Sequence, residues 1–202
     1  MIARRSTYAG TSKRQSQIIQ AALACFSEFG FSQTTMEDIR RRSGASNGSI
    51  YHHFKSKEQL AAAVYVEGIA NYQSGLLSEI DKNPNAREGI FAIVRFHLIW
   101  VMEHPDWARF LSQMRHAEFM ASSETAIMDL NQKWVIKLNA WFARQIESGK
   151  IRKLSRELYI SIIFGPCQEI TRLWLQGIVS AKIENIINEI ARAAWQALRS
   201  KG

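Results

Sequence analysis

The segment from Thr34 to Lys57 constrains the fold of this chain more than any other stretch. It reads TTMEDIRRRSGASNGSIYHHFKSK, in which two short helix-forming runs flank a Ser-Gly-Ala corner. Thr34 with Glu37 predicts a capping box at the start of the first run. Gly44 predicts a sharp turn, because glycine readily adopts the left-handed backbone that such a corner requires. The segment is therefore predicted to be a helix-turn-helix.

The second short helix of this segment, from Ser46 to about His53, has two different faces. Ile50 and Phe54 are four residues apart and are predicted to point inward. The other face carries hydrogen-bonding groups and no carboxylate, which is typical of a helix that approaches phosphates and base edges. We expect the base edges to be read by Ser46, Asn47 and Ser49.

Residues on both sides of the motif add a specific pattern. An Ala-Ala-x-x-x-Phe helix and Gly30-Phe31 precede it, and the run Ile50-Tyr51-x-His53-Phe54 continues into Lys-Ser-Lys-Glu. Over roughly residues 18–64 the chain resembles the N-terminal domain of TetR-family transcriptional regulators. The resemblance implies phosphate contacts at Thr35, Tyr51, His52, His53 and Lys57.

The segment also carries three consecutive arginines and a lysine at the start of the fourth helix. Arg40, Arg41 and Arg42 point in three directions around a helix, so we expect only one, Arg41 or Arg42, to lie near a phosphate. Lys57 falls in the first turn of the fourth helix, where its charge opposes the helix dipole. A phosphate at this helix N-terminus would relieve that unfavourable interaction.

The net charge of +8 is concentrated in the N-terminal part of the chain. Residues 1–57 contain nine basic and three acidic residues, a net charge of +6, and residues 58–202 contribute only +2. A basic surface on a small module indicates a polyanionic partner. Residues 1–11 are predicted to be a flexible basic arm. Its Arg4 and Arg5 either reach a minor groove or belong to a frayed terminus.

The remaining composition predicts an all-α protein of about nine helices. Hydrophobic residues make up 47% of the chain and only three prolines interrupt it. We expect a DNA-binding domain at residues 12–72 and a ligand-binding and dimerisation domain at 73–202. Cys25 and Cys167 are predicted to be buried thiols, and no metal or cofactor is expected. Without a signal peptide or a long apolar run, the protein is expected to be cytoplasmic.

The middle third of the chain is rich in aromatic residues and methionine. Such residues fill the core of a helical bundle, but their concentration also fits an apolar ligand cavity. His97, His104 and His116 fall in the same region and are candidate polar handles for a ligand. The candidate lining residues are Phe96, Trp100, Trp107, Phe110, Met114, Trp134 and Trp141.

The last two predicted helices have apolar faces broader than one internal contact requires. Family resemblance implies that they pair with the same helices of a second subunit in a four-helix bundle. The alternative is a monomer that buries both faces internally. The candidate interface residues are Ile162, Ile170, Trp174, Ile183, Ile187, Ile190, Ala194 and Trp195.

Three functions are compatible with these patterns. The first is a homodimeric repressor that a small apolar ligand releases from a palindromic DNA operator. The second is a DNA-binding protein without a small-molecule effector, which differs from the first only in its second domain. The third is a helical enzyme, which we do not favour because the sequence has no nucleophile-base pair or phosphate-binding loop.

Overall fold

The computed structural model describes residues 3–114, 117, 124–179 and 181–200, with side chains from Lys13 onward except those of residues 124 and 126. The described residues form nine α-helices and no strand, which confirms the predicted all-α fold. The helices are α1 (Ala3–Gln33), α2 (Met36–Ser43), α3 (Asn47–His53), α4 (Lys57–Lys82), α5 (Ala86–Glu103), α6 (Pro105–Met114), α7 (Glu124–Glu147), α8 (Arg156–Leu175) and α9 (Ile183–Leu198).

Helix α1 begins earlier than the sequence predicts. Its backbone is helical from Ala3, so residues 3–10 form a helix where a flexible arm is expected. The predicted break at Gly30 is present, with φ of 77° and ψ of 159°, and helical turns resume after it to Gln33. The side chains of Arg4 and Arg5 lie outside the described ones, so their contact with DNA stays a prediction.

The chain divides into two compact units. Unit one comprises Met1–Ile69 and Asp106–Met128, and unit two comprises Ala70–Pro105 and Asp129–Gly202. Each unit has its own apolar core, and each core contains one of the two cysteines.

Unit one includes α6, which the sequence analysis assigns to the second domain. Phe110 of α6 stacks on Phe26 of α1, with 5.3 Å between the ring centroids. The indole of Trp107 lies so close to Gly68 that a Cβ atom there would be 2.5 Å from it. These two aromatic contacts give α6 a place in the core beneath the helix-turn-helix.

Unit two is built around aliphatic residues of α5, α8 and α9. Trp141 of α7 is only 1% exposed and lies against Gly89, where a Cβ atom would come within 2.1 Å of the ring. Its indole N–H donates to the carbonyl oxygen of Asn83 at 3.4 Å. Trp141 is therefore part of the packed core.

Both cysteines are buried free thiols, as predicted. Cys25 of unit one is 1% exposed, and burial raises the pKa of its thiol. Cys167 of unit two is 0% exposed, donates to the carbonyl oxygen of Ile163, and has its pKa raised by burial to about 12. Neither thiol is ionised at neutral pH.

Candidate nucleic-acid interface and ligand site

A capping box fixes the start of α2, one residue later than predicted. Asp38 N–H donates to Thr35 Oγ1 at 3.2 Å, and Thr35 N–H donates to Asp38 Oδ2 at 3.0 Å. The predicted pair, Thr34 with Glu37, is wrong because the Thr34 hydroxyl is buried and donates to the carbonyl oxygen of Gly30 at 2.7 Å. The Thr35 hydroxyl also donates to Asp38 Oδ2, so its proton is already engaged.

The corner between α2 and α3 follows the predicted geometry. Gly44 has a φ of 63°, in the left-handed region, and its N–H donates to the carbonyl oxygen of Arg41. Ala45 is 4% exposed, so a small side chain occupies the corner. Ser46 is the N-cap of α3, and its hydroxyl oxygen accepts from Ser49 N–H at 3.2 Å.

Helix α3 is anchored by one face and exposes the other. Ile50 is 0% exposed and Phe54, the residue after the helix, is 3% exposed. Asn47, Tyr51 and His52 are exposed. The structure thus brings together six of the predicted DNA-contacting residues on or beside one short helix, namely Ser46, Asn47, Ser49, Tyr51, His52 and His53.

The two histidines at the end of α3 contact each other edge to face, with 5.2 Å between their ring centroids. Partial burial lowers the pKa of His53, and the charges of His52 and Arg14 lower it further. His53 is therefore neutral at pH 7 in the free protein. The influence of Arg14 also shows that α1 brings a cation close to the end of α3, which the sequence analysis did not predict.

All three consecutive arginines of α2 have carboxylate partners within unit one. Arg40 pairs with Glu37 at 2.6 Å, and Arg41 pairs with Asp38 at 2.7 Å. Arg42 reaches Glu28 of α1. The sequence predicts Arg41 or Arg42 near a phosphate. The i,i+3 spacing within α2 is a signal that could have revealed the partners of Arg40 and Arg41, whereas the pair of Arg42 joins two helices and has no such signal.

Lys57 has a different environment from the one expected at a helix N-terminus. Its Nζ donates to the carbonyl oxygens of Phe31 and Thr34, both at 2.8 Å, and of Ser32 at 3.2 Å. Lys55, which the sequence analysis did not select, has an exposed side chain whose Nζ donates to the carbonyl oxygen of Tyr51. Lys55 is therefore the lysine next to the exposed face of α3.

Unit two contains a buried polar group of three side chains on three helices. The hydroxyl of Tyr72 and Nδ1 of His97 are 2.7 Å apart and share a hydrogen bond. His97 Nε2 lies 3.4 Å from Thr171 Oγ1. His97 is 9% exposed, and burial lowers its pKa to about 4, so the imidazole is neutral at pH 7.

Aromatic rings surround these polar groups. The ring of Tyr72 is 5.2 Å from that of Trp100 and 5.6 Å from that of Phe96. Phe164 links His97 to Trp134, with centroid distances of 5.9 and 6.4 Å. Trp134 Nε1 is buried and has no hydrogen-bond partner among the described residues. We define the His97 cluster as Tyr72, Phe96, His97, Trp100, Trp134, Phe164 and Thr171.

The seven residues predicted to line one ligand site are distributed over both units. Phe96, Trp100 and Trp134 belong to the His97 cluster. Trp141 packs on Gly89 elsewhere in unit two. Three of the seven lie on α6 in unit one, namely Trp107, Phe110 and Met114.

Two cavities lined by described residues of unit two lie away from the centre of the His97 cluster. A groove of only about 10 Å³ lies beside it, and Thr171 lines it together with apolar residues such as Met102, Ile170 and Trp174. A larger cavity of about 370 Å³ is lined mainly by polar residues at the start of α5 and the end of α7, including Arg87 and Lys150. Neither of these two cavities is lined by the aromatic rings of the cluster.

The predicted interface residues of α8 and α9 fall into two groups. Ile187 and Ala194 are 7% and 2% exposed and pack in the core of unit two, so they present almost no surface to the predicted dimer interface. The sequence could not separate them, since core and surface residues alternate along the same broad stripe. The half-buried ones are Ile162, Ile170, Trp174, Ile183, Ile190 and Trp195.

Within the described ranges, no group of three or more histidine, cysteine or acidic side chains has a geometry that could hold a metal ion. None of the helices described is both long and apolar enough to cross a membrane.

Family models match almost the whole chain. The model described as bacterial regulatory proteins of the tetR family matches residues 18–64. The model described as a tetracyclin repressor-like C-terminal domain matches residues 65–200. The boundary between the two models falls within α4.

Individual relatives agree with these matches. The fatty acid metabolism regulator protein of Bacillus subtilis is 21% identical to this chain, over 92% of this chain and 95% of its own length. The HTH-type transcriptional repressor KstR2 of Mycobacterium tuberculosis is 30% identical, over 69% of this chain and 70% of its own.

Solved structures show the same fold. A TetR family transcription regulator from Marinobacter aquaeolei has a TM-score of 0.79 at 21% identity, with 94% of this chain and 97% of that chain covered. FadR of Bacillus subtilis has a TM-score of 0.74 at 21% identity, with 89% and 96% covered. With the family models spanning residues 18–200, this chain belongs to the tetR family of bacterial regulatory proteins and is a DNA-binding transcriptional regulator.

Proposed function

We propose that the chain is a cytoplasmic, homodimeric repressor that a small, largely apolar ligand releases from a palindromic operator. The observation that carries the DNA-binding part is the exposed face of α3. This face is polar, contains no carboxylate, and lies on a helix capped by Ser46 and anchored by Ile50. A helix presented in this way can enter a major groove without burying an acidic group against phosphate.

Within this interface we assign separate roles to the side chains. Ser46, Asn47 and Ser49, in the first turn of α3, read base edges. Thr35, Tyr51, His52, His53 and Arg41 contact phosphates, and Lys55 adds an exposed ammonium group next to Tyr51. Arg41 must share its guanidinium between Asp38 and a phosphate, which its largely exposed side chain permits.

A two-fold dimer is supported by the apolar surface of α8 and α9. Six of the predicted interface residues are half-buried, and Leu158 and Ile178 at the ends of this region are 47% and 64% exposed. Exposed apolar side chains of this size favour coverage by another protein surface. An isologous dimer presents two copies of α3, and its two-fold symmetry requires a palindromic operator.

The effector site is proposed at the His97 cluster. Its polar groups are neutral and its walls are aromatic, so an ionised group placed there would be desolvated without a counter-charge. The buried N–H of Trp134 lacks an acceptor, which a carbonyl group of a ligand can supply. FadR of Bacillus subtilis was solved in complex with stearoyl-CoA, which supports a ligand with a long apolar part.

The ring contacts within the His97 cluster, with centroid distances of 5.2 to 6.4 Å, favour the alternative in which the protein binds DNA without a small effector. A ligand of drug size needs a pocket of roughly 300 Å³ or more. A ligand that enters between these rings must displace them, whereas the alternative requires no change in unit two.

One experiment tests the DNA-binding and effector parts of the proposal together. An operator duplex is first selected from random DNA, and lipophilic compounds, including stearoyl-CoA and palmitoyl-CoA, are then screened by thermal shift. We expect a ligand that raises Tm also to release the operator. We expect Trp134→Phe, which keeps a ring but removes the unpaired N–H, to weaken that ligand and leave operator binding intact.

Other outcomes distinguish the two candidate functions. Operator binding without any stabilising ligand supports the effector-free regulator. A ligand that stabilises the protein without weakening operator binding contradicts the proposed release. Failure to select any DNA sequence contradicts both candidate functions.

A further inference from the structure

Lys57 lies at the start of α4, beside the helix-turn-helix, but its ammonium group points into unit one. The three oxygen atoms that it contacts are the carbonyls of Phe31, Ser32 and Thr34, at 2.8 to 3.2 Å. An ammonium group has three N–H donors. In this arrangement all three are used within the protein, and the side chain is half-buried.

The acceptors belong to the end of one helix and the link that follows it. Phe31 and Ser32 lie in the last turn of α1, after the non-helical Gly30. Carbonyl groups in a last turn have no partner within their helix and form the negative end of its dipole. The Nζ atom also lies 4.6 Å from the centroid of the Phe31 ring, within the range of a cation–π contact. Lys57 therefore neutralises the C-terminal end of α1.

The third acceptor extends this connection to α2. Thr34 immediately precedes Thr35, the N-cap of α2, and its own hydroxyl donates back to the carbonyl oxygen of Gly30. Lys57 thus ties the first turn of α4 to the end of α1 and to the residue next to the start of α2. The position of α2 determines where the Gly44 corner and α3 lie.

We propose that Lys57 is a positioning residue of the DNA-binding unit, whose ammonium group holds α1 and the α1–α2 link against α4 in the free protein. This role is additional to the phosphate contact implied by family resemblance. The measurements of operator binding rest on the proposed function of α3. The measurements of Tm and amide exchange are made without DNA and do not depend on it.

The two roles predict different results in the free protein. If Lys57 serves only as a phosphate contact, its removal leaves the free protein as stable as before and lowers the salt slope of DNA binding by about one. If Lys57 positions the helices, its removal destabilises unit one without DNA, whether or not the salt slope changes. Operator affinity falls in both cases, so the measurements on the free protein are the ones that separate them.

The test uses the full chain with Lys57→Met, Lys57→Arg and the control Lys55→Met. For Lys57→Met we expect a Tm roughly 5–10 °C lower without DNA. Amides of residues 31–39 should exchange at least about tenfold faster, since opening of this region becomes easier. The control, whose ammonium group is exposed, should keep the Tm and exchange of the unmodified protein but lower the salt slope by about one.

Lys57→Arg provides the sharper discrimination. A guanidinium group binds phosphate at least as well as an ammonium group, so arginine should restore a phosphate contact. Its donors lie in one plane and diverge, so they cannot meet three carbonyl oxygens that converge on one point. We expect this variant to recover less than half of the lost Tm.

Two results overturn the proposal. One is unchanged Tm and amide exchange in Lys57→Met, and the other is full recovery of stability by arginine. If Lys57→Met does not fold while Lys55→Met does, the positioning role is supported. If the unmodified chain binds no operator, the proposed function fails, but Tm and amide exchange still decide the role of Lys57.

Discussion

The two units differ in the titratable group that each encloses. Both carry exposed ion pairs, such as Arg40 with Glu37 in unit one and Arg172 with Glu169 in unit two. Unit one also holds the half-buried ammonium group of Lys57 on three backbone carbonyl oxygens, whereas unit two holds the buried neutral imidazole of His97. A charged group keeps its charge only where water or a partner compensates the desolvation. Unit two is therefore expected to be the unit whose stability responds to mild acid.

The largest expected effect comes from making the same substitution in both units. Gly89→Ala in unit two places a Cβ atom 2.1 Å from the fully buried Trp141, so we expect a loss of about 3 kcal/mol in the free energy of unfolding. Gly48→Ala in α3 meets no atom within 4 Å, and we expect a gain of roughly 0.5 kcal/mol from reduced chain entropy. Urea denaturation of both variants measures the difference. Equal effects would show that the two units are packed alike.

The second effect concerns acid. Because burial lowers the pKa of His97 to about 4, the unfolded chain takes up a proton near pH 6.5 while the folded chain stays neutral. The stability contributed by neutral His97 is complete above pH 6.5 and is lost as the pH falls towards 4. We expect a loss of about 2 kcal/mol at pH 5.

Comparison with His97→Asn isolates this contribution, since all other titrating groups are shared. The unfolding free energies of the two proteins are measured by urea denaturation at pH 7.5 and pH 5. The variant should lose less stability than the unmodified protein over this interval. An identical loss in both would show that His97 titrates normally and that unit two has no special acid sensitivity.

A smaller effect is expected at the one fully buried hydroxyl described above for unit one. Thr34 is 1% exposed and donates to the carbonyl oxygens of Gly30 and Cys25, at 2.7 and 3.1 Å. Thr34→Val keeps the shape but leaves these carbonyls without that donor, which should cost about 1–2 kcal/mol by urea denaturation. Ser32→Ala, at a neighbouring exposed side chain, is the control and should have almost no effect.

The smallest effect is expected for the surface ion pairs. Arg40→Ala removes a pair in which both side chains are substantially exposed, and such pairs contribute little because water and salt screen them. We expect no resolvable change in Tm at 0.15 M salt. A clear fall in Tm that disappears at 1 M salt would show that the three arginine pairs act as a network.

Local sequence signals predicted much of unit one. The glycine corner at Gly44, the buried Ile50 and the exposed face of α3 all depend on residues within a few positions of each other. The capping box was misplaced by one residue because Thr34 and Thr35 are chemically equivalent in sequence. Only the fold shows that the hydroxyl of Thr34 faces the core.

The polar and aromatic pairings of distant residues could not be predicted. Tyr72 is 25 residues from His97, and Thr171 is 74 residues further along, so no periodicity connects them. For the same reason the stacking of Phe110 on Phe26 could not be predicted. The acceptors of Lys57 were not predicted either, because backbone carbonyls leave no trace in the side-chain pattern.

The two buried thiols give each unit its own chemical reporter. Cys25 and Cys167 are the only cysteines of the chain, and one lies in each unit. An alkylating reagent reaches either thiol only when the surrounding helices open, so mass spectrometry of the two modified peptides records two opening rates in one sample. Adding operator DNA should slow modification of Cys25, and adding an effector should slow that of Cys167. The signal transmitted between the two functions would then appear as a change in the rate at the other cysteine.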